Sequence, residues 1–145
     1  MKTKYALQTE KEDMAKAYAS NIAISTKVGI EIANHLRGRT TKKAKEILQN
    51  VLIEKEAIPY KRFNDSVGHR TGIGPGRYPK KASAEFLSLI KQAEANAQNK
   101  GLDENLKIVH LVVNKASQPA RQGRRTFKRA HVEIAVQEME KESKK

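Results

Sequence analysis

The chain reads as an α+β fold in which three helices pack on a small antiparallel sheet with an extended basic β-hairpin. Two observations predict it. Three stretches carry apolar residues at helical spacing. Two β-patterned runs, Leu106–Val113 and Val132–Val136, bracket a stretch from Asn105 to Val132 that contains no Asp or Glu but holds Lys107, Lys115, Arg121, Arg124, Arg125, Lys128 and Arg129.

The elements follow in order. Lys4-Tyr-Ala-Leu-Gln8 reads as a short strand. Ser25 caps a helix whose Val28, Ile32 and Leu36 recur every four residues, and Gly38 stops it. Thr40 or Thr41 caps a second helix, where Ala44, Ile47, Leu48, Val51 and Leu52 follow the i, i+3, i+4, i+7, i+8 pattern until Pro59. Residues 58–79 hold four Gly and three Pro and predict an irregular loop, either functional or disordered. Pro79 opens a third helix striped by Phe86, Ile90, Ala93 and Ala97, flanked by Leu87 and Leu89, with Gly101 at its C-terminal stop. The hairpin occupies 106–138 and a charged tail 139–145, the whole of 1–145 forming one domain.

The middle of the hairpin, Asn114 to Arg129, is nearly devoid of large apolar groups, so burial cannot offset the entropy of ordering it. A cationic arm stabilised by a polyanion accounts for this. Pro119 and Gly123 mark its tip. Val132, Ile134 and Val136 alternate with His131, Glu133 and Ala135, so only the hairpin base has an apolar face. Two arms of about 16 residues at roughly 3.3 Å each span about 50 Å. A compact domain of this length has a radius of gyration nearer 15 Å, so part of the arm should project, the alternative being a short hairpin with a disordered basic loop.

The net charge is +13 over 145 residues, split as +1 over residues 1–36, +13 over 37–132 and −1 over 133–145. The middle of the chain therefore faces an anion. The chain has no Cys, which excludes a disulfide framework and thiolate chemistry. No apolar run approaches the roughly 20 residues of a membrane helix, and the start lacks an apolar signal core, so no membrane partner and a cytosolic location are expected.

Three basic constellations stand out. The junction between the first two helices carries Arg37, Arg39, Lys42, Lys43 and Lys45, suited to uniform phosphate contact or to a solvated face. The loop 58–79 carries Arg62, His69, Arg70 and Arg77, with Lys80 and Lys81 beside it. Its Gly72-Ile-Gly-Pro-Gly76 resembles a phosphate cradle before a helix N-terminus, although it is neither a P-loop nor a dinucleotide fingerprint. The arm supplies Lys115, Arg121, Arg124, Arg125, Lys128 and Arg129. The histidines His35, His69, His110 and His131 lack metal-ligand spacing. His110 and His131 could approach across the hairpin, and a structural or RNA-contacting role outweighs a metal site. Asp65 stands alone in its loop, and no serine has a triad context. No cofactor, metal site or active site is expected.

Across nearly its whole length the chain resembles the large-ribosomal-subunit protein twenty-two family, in its archaeal and eukaryotic form. The resemblance rests on Tyr5-Ala-Leu-Gln; Lys27 with Glu31-Ile and Arg37-Gly; Lys43-Ala-Lys with Leu48; Ile58-Pro with Arg62-Phe-Asn; Val67-Gly-His-Arg; Gly76-Arg-Tyr-Pro with Lys81-Ala; Ala93-Glu-Ala-Asn-Ala; Lys100-Gly-Leu-Asp; Val113-Asn-Lys-Ala; and Arg124-Arg-Thr-Phe with Arg129-Ala-His, all in this order. It implies a structural constituent that binds and helps assemble large-subunit ribosomal RNA near the polypeptide exit tunnel. It also implies a hairpin inserted toward the tunnel wall, neighbouring ribosomal proteins, and the nascent polypeptide as a partner at the tip. On that pattern Arg121, Arg124, Arg125, Lys128 and Arg129 contact RNA from the arm, and Arg62, His69, Arg70, Arg77 and Lys80 from the globular part. The chain departs where Val132-Glu-Ile follows Arg129-Ala-His131 at once, without the family's usual Gly/Arg/Pro-containing stretch, so the arm should be short. From the residues alone an architectural DNA-binding protein with a basic β-arm is the alternative. An RNA-processing enzyme is disfavoured by the missing catalytic constellation.

Overall fold

A computed structural model describes residues 5–7 and 12–139. Among these, the order is β1 (Met14–Ile22), α1 (Thr26–Leu36), α2 (Thr41–Leu52), β2 (Ile58–Pro59), β3 (His69–Arg70), β4 (Gly74–Arg77), α3 (Lys80–Asn99), β5 (Leu106–Lys115) and β6 (Ala130–Glu138), with a short 3-10 turn over Gln122–Arg124. The α+β expectation holds.

The main sheet is antiparallel in the order β1-β6-β5. On its helix-covered face Ala15, Ala17 and Ala19 stand opposite Val136, Ile134 and Val132. Leu111 and Val113 continue that face opposite Ile134 and Val132. A register shift between Ile108 and His110 leaves Val109 exposed and lets Ile108 and Leu111 both turn inward. α3 packs on β1 and β6, α1 on β5, and α2 on α3. Phe86, Ile32, Leu36, Ile47, Leu48 and Ile90 fill the space between the layers.

β1 is an edge strand whose outer carbonyls are taken up by α3. Asn96 donates to Lys16 O at 2.9 Å and Lys100 to Met14 O at 2.8 Å. The strand expected near Lys4–Gln8 is not there: residues 5–7 are non-strand, and Lys4 and Gln8 lie outside the described residues. Instead Ala6 N–H donates to the Glu133 carboxylate at 2.6 Å, bringing this segment against the second face of the sheet. Glu133 and Ala135 are both buried, so β6 has two covered faces rather than the single apolar face expected.

The helices match their sequence signals with small differences. Thr40 caps α2 through its hydroxyl, which accepts Lys43 N–H at 3.3 Å, whereas Ser25 caps α1 by backbone conformation without a side-chain bond. α2 ends at Leu52, where Glu54 takes φ +60°, so its stop is local and does not wait for Pro59. Pro79 is the N-cap residue of α3, just outside the helix. Gly101, at φ +75°, follows the end of α3 as expected.

The Gly/Pro-rich stretch differs from the expectation. Residues 58–77 form a second three-stranded antiparallel sheet in the order β2-β4-β3. Ile58 pairs with Arg77 and Pro59 with Gly76, while His69 pairs with Pro75 and Arg70 with Gly74. Position 76 is crowded: a Cβ there would sit 2.9 Å from Ile73 Cδ1 and 3.3 Å from Ile58 O. This corrects the phosphate-cradle reading. Gly76 N–H donates to Gly68 O at 3.2 Å, and Gly74–Arg77 is the central strand of the small sheet.

β5 and β6 pair from Leu106↔Glu138 to Lys115↔Ala130. Bonds continue outward through Ala116 N–H to Arg129 O at 3.1 Å, Phe127 N–H to Pro119 O at 3.0 Å, and Arg121 N–H to Arg125 O at 2.6 Å. The turn closes with Gly123 at φ +71° and Arg124 at φ +60°. Arg124 thus holds a left-handed conformation that an L side chain adopts at a cost of about 1 kcal/mol. The charged tail 139–145 lies outside the described residues apart from Met139.

Candidate nucleic-acid interface

A buried carboxylate organises the globular part of the basic surface. Glu31 of α1 is 1% exposed. It accepts backbone N–H bonds from Lys61 at 3.1 Å, Arg62 at 2.8 Å and Phe63 at 2.7 Å. Three donors on one carboxylate fix the chain just after β2, and with it the direction of Arg62. The sequence singles out no role for Glu31, because its partners are main-chain atoms about 30 residues away.

Arginines of this region lie on aromatic rings. Arg62 stands 5.2 Å from the Phe63 centroid and Lys27 5.5 Å from the same ring. Arg70 lies 5.1 Å from Tyr78, and Arg77 5.8 Å from Tyr60. Such contacts restrict the guanidinium planes without neutralising them, and their N–H edges stay available to phosphate oxygens. The sparse aromatics therefore serve as seats for arginine.

The arm repeats this device. Arg121 and Arg129 lie 4.4 and 5.6 Å from the Phe127 ring, which is 38% exposed. Arg121, Arg124, Arg125 and Lys128 are exposed, Lys115 is exposed at the start of the arm, and Arg129 is half-buried. Among the described residues no carboxylate makes an ion pair with any of these cations. Phe127 is missed as a functional residue by sequence reasoning, although its place among six cations was a usable signal.

The helix junction is different. Arg37 donates to Leu111 O at 2.7 Å and to Asn34 Oδ1 at 3.4 Å, and Arg39 donates through Nε to His35 O at 2.8 Å. Lys42 pairs with Glu104 at 3.8 Å, Lys43 with Glu46 at 2.9 Å and Lys45 with Glu94 at 2.8 Å. The structure thus commits these cations largely to the protein itself. Lys80 pairs with Glu54 at 2.7 Å, and that hydrogen bond holds the Glu54 carboxyl below its usual pKa. Lys81 is exposed, as are His69 and Arg70.

The histidines do not form a cluster. His131 stacks on Tyr18 at 5.8 Å between centroids, and its Nδ1 accepts Asn21 N–H at 3.1 Å. It stands opposite Asn114, while His110 stands opposite Ala135, so the expected approach of His110 to His131 does not occur. Burial, the larger cause, holds both His35 and His110 below the usual imidazole pKa. Among the described residues no group of His, Asp and Glu is arranged to hold a metal ion, and no helix is long and apolar enough to cross a membrane.

Arm and globular part meet at a concave site of about 300 Å³ lined by Ser25, Lys27, Val28, Tyr60, Phe63, Asp65, Val67, Arg77 and Lys128. It joins the start of α1, the loop held by Glu31, the small sheet and the arm.

Comparison with known proteins places the chain among relatives of one name. Residues 17–139 match the family model described as ribosomal protein L22p/L17e. A protein of Picrophilus torridus named large ribosomal subunit protein uL22 is 44% identical over 111 residues, covering 77% of this chain and 74% of its own length. The proteins of that name from Thermoplasma acidophilum and Methanoculleus marisnigri are 46% and 40% identical. The second of these alignments covers 95% of this chain and 98% of the relative.

Proposed function

Because the chain belongs to the ribosomal protein L22p/L17e family, and so is a structural, non-enzymatic constituent of the large ribosomal subunit in the cytoplasm, we propose that its basic surface binds and helps assemble large-subunit ribosomal RNA near the polypeptide exit tunnel. The observation that carries this reading is the set of arginines seated on aromatic rings, Arg62, Arg70, Arg77, Arg121 and Arg129, in surroundings where arm and loop cations lack carboxylate partners among the described residues. Their charge is presented to an external polyanion rather than used up inside the protein.

In this reading the arm of 106–138 reaches into folded RNA toward the tunnel wall. Lys115, Arg121, Arg124, Arg125, Lys128 and Arg129 contact phosphates, and the turn at Gly123 and Arg124 lies nearest the nascent polypeptide. From the globular part Arg62, His69, Arg70, Arg77 and Lys81 contact RNA. Arg37, Arg39, Lys42, Lys43, Lys80 and His131 contribute less, since each already has a partner within the protein. Neighbouring ribosomal proteins complete its surroundings. The DNA-binding alternative draws no support from the family.

Hydroxyl-radical footprinting of intact large subunits tests the proposal. Two groups of protected ribosomal RNA are expected, one lost in an Arg124→Ala/Arg125→Ala variant and one in an Arg62→Ala/Arg70→Ala variant. Protection unchanged by both pairs would refute it.

A further inference from the structure

The pocket where arm and body meet contains two groups that phosphate binding does not explain. Lys27, Arg77 and Lys128 line it and suit a phosphate, but Asp65, the lone acid of its loop, also lines it and repels one. Tyr60 also lines it. That residue is 3% exposed, and its hydroxyl is buried without a hydrogen-bond partner. An unpaired buried hydroxyl is costly and is usually met by an ordered group. A carboxylate recognises N–H or O–H donors, which a phosphodiester lacks and a nucleoside has. The volume, about 300 Å³, lies at the lower end for clefts that enclose a small ligand.

We propose that this pocket holds one unstacked nucleotide of the bound RNA, with its phosphate on Lys27, Arg77 and Lys128 and a donor of its base or ribose on Asp65. The proposal rests on the ribosomal RNA reading above and names what that RNA places here. Ser25, the N-cap residue of α1, lines the same pocket and makes no side-chain cap bond at the positive end of the helix. Arg77 lies over the Tyr60 ring and donates to Ser66 O at a long 3.4 Å. Movement of Arg77 onto the phosphate exchanges this long bond for a charge-assisted one, and in the proposal the Tyr60 hydroxyl then finds its partner in the nucleotide. Since Lys128 belongs to the arm and the other groups to the body, an occupied pocket fixes the base of the arm against the domain.

The test is acylation mapping of RNA 2′-hydroxyls in large subunits carrying wild-type protein, Tyr60→Phe or Asp65→Asn, with Arg124→Ala as a control at the tip. Both pocket variants should raise the reactivity of the same single unpaired nucleotide, by about tenfold in occupancy for each lost hydrogen bond to a charged or buried partner. Arg124→Ala should leave that nucleotide unchanged. Identical profiles for wild type and both pocket variants, in subunits where the protein's overall footprint persists, would overturn the proposal. Loss of phosphate protection without a 2′-hydroxyl change would also overturn it, because the pocket would then hold a bare phosphate. Absence of any wild-type footprint would instead refute the RNA reading itself. Free Tyr60→Phe protein should melt no lower than wild type, since the substitution removes an unpartnered hydroxyl. A lower melting point would show that the hydroxyl serves the fold, against the proposal.

Discussion

Replacing Glu31 should unfasten the globular half of the basic surface. In Glu31→Ala the N–H groups of Lys61, Arg62 and Phe63 lose their shared acceptor. Hydrogen bonds to a charged group contribute about 1.5–3 kcal/mol each, and a buried donor left unpaired costs about 1–3 kcal/mol. The three share one carboxylate, and the loop can move outward to water, so the net loss should be about 3 kcal/mol rather than the full sum. For a domain of this size each kcal/mol lowers Tm by about 2–4 °C, giving a drop of about 10 °C. Glu31→Gln separates charge from shape. Its carbonyl can replace Oε1, which serves Arg62 and Phe63, but its amide NH₂ then faces Lys61 N–H, so about half the loss is expected. Urea denaturation of the free protein gives the energies, with m unchanged if the loop alone is released. RNA affinity should fall in both variants because Arg62 loses its support. A Glu31→Gln midpoint equal to wild type would refute the argument that the ionised carboxylate holds this loop.

Phe127→Ala should leave folding stability within about 0.5 kcal/mol, since the ring lies in the arm, outside the core, and is 38% exposed. It should weaken RNA binding by about 1 kcal/mol by releasing Arg121 and Arg129, measured by filter binding at fixed salt; unchanged affinity would mean the ring does not orient them. Arg124→Ala and Arg125→Ala should each reduce the slope of log K against log salt by about 0.7–0.9, and an unchanged slope would remove these residues from the phosphate contacts. Stability should fall as pH drops. His35 and His110 are held, mainly by burial, below the ordinary value of 6.5, so the unfolded chain binds protons first. The contribution is present above pH 6.5 and is lost as pH falls through that value toward the lower folded pKa. For His35 the Arg39 and Lys61 charges add to the lowering and Glu56 opposes it; for His110, Arg37 and Lys16 add and Glu133 opposes. A His35→Gln/His110→Gln protein should show a flatter Tm profile between pH 7.5 and 5, and a profile as steep as wild type would refute the assignment.

What the sequence disclosed followed the size of the residues involved. α2 was legible because Ala44, Ile47, Leu48 and Val51 lie on one face and are all buried. The hairpin base was legible because Val132, Ile134 and Val136 are β-branched and alternate. β1 has the same period of two, but its inward residues are Ala15, Ala17 and Ala19, which signal no β preference. Small side chains there suit the close approach of α3, whose Asn96 and Lys100 reach the strand's main chain. The small sheet was hidden by composition: Pro59, Gly74, Pro75 and Gly76 resemble a loop, yet they pair along two- and four-residue strands. At the candidate site the cations were visible as residue types. Their division into those paired within the protein, such as Lys43 and Lys45, and those seated on rings was not, because it depends on contacts such as Lys45 with Glu94, 49 residues apart.

That division explains how a protein of net charge +13 can keep acids close to its basic surface without weakening it. The two buried acids, Glu31 and Glu133, accept main-chain N–H groups and make no ion pair with Lys or Arg among the described residues. A guanidinium spent on either carboxylate would be lost to RNA, whereas a peptide N–H cannot bind long-range to a phosphate backbone. Acids that do pair with cations, Glu46, Glu54, Glu94 and Glu104, take lysines on or beside the helices, namely Lys43, Lys80, Lys45 and Lys42. Arg121 and Arg129 of the arm and Arg62, Arg70 and Arg77 of residues 58–77 are seated instead on Phe127, Phe63, Tyr78 and Tyr60. A lysine, a strongly hydrated point charge on a flexible stem, loses little in a surface ion pair; an arginine beside a ring retains a planar fork of donors for phosphate. Exchanging the two types should therefore be asymmetric. Arg121→Lys should weaken RNA binding although charge is conserved, while Lys43→Arg should change neither stability nor binding by more than about 0.5 kcal/mol. Equal effects of the two exchanges in the same binding assay would reduce the surface to a simple sum of charges and would refute the role given to the rings.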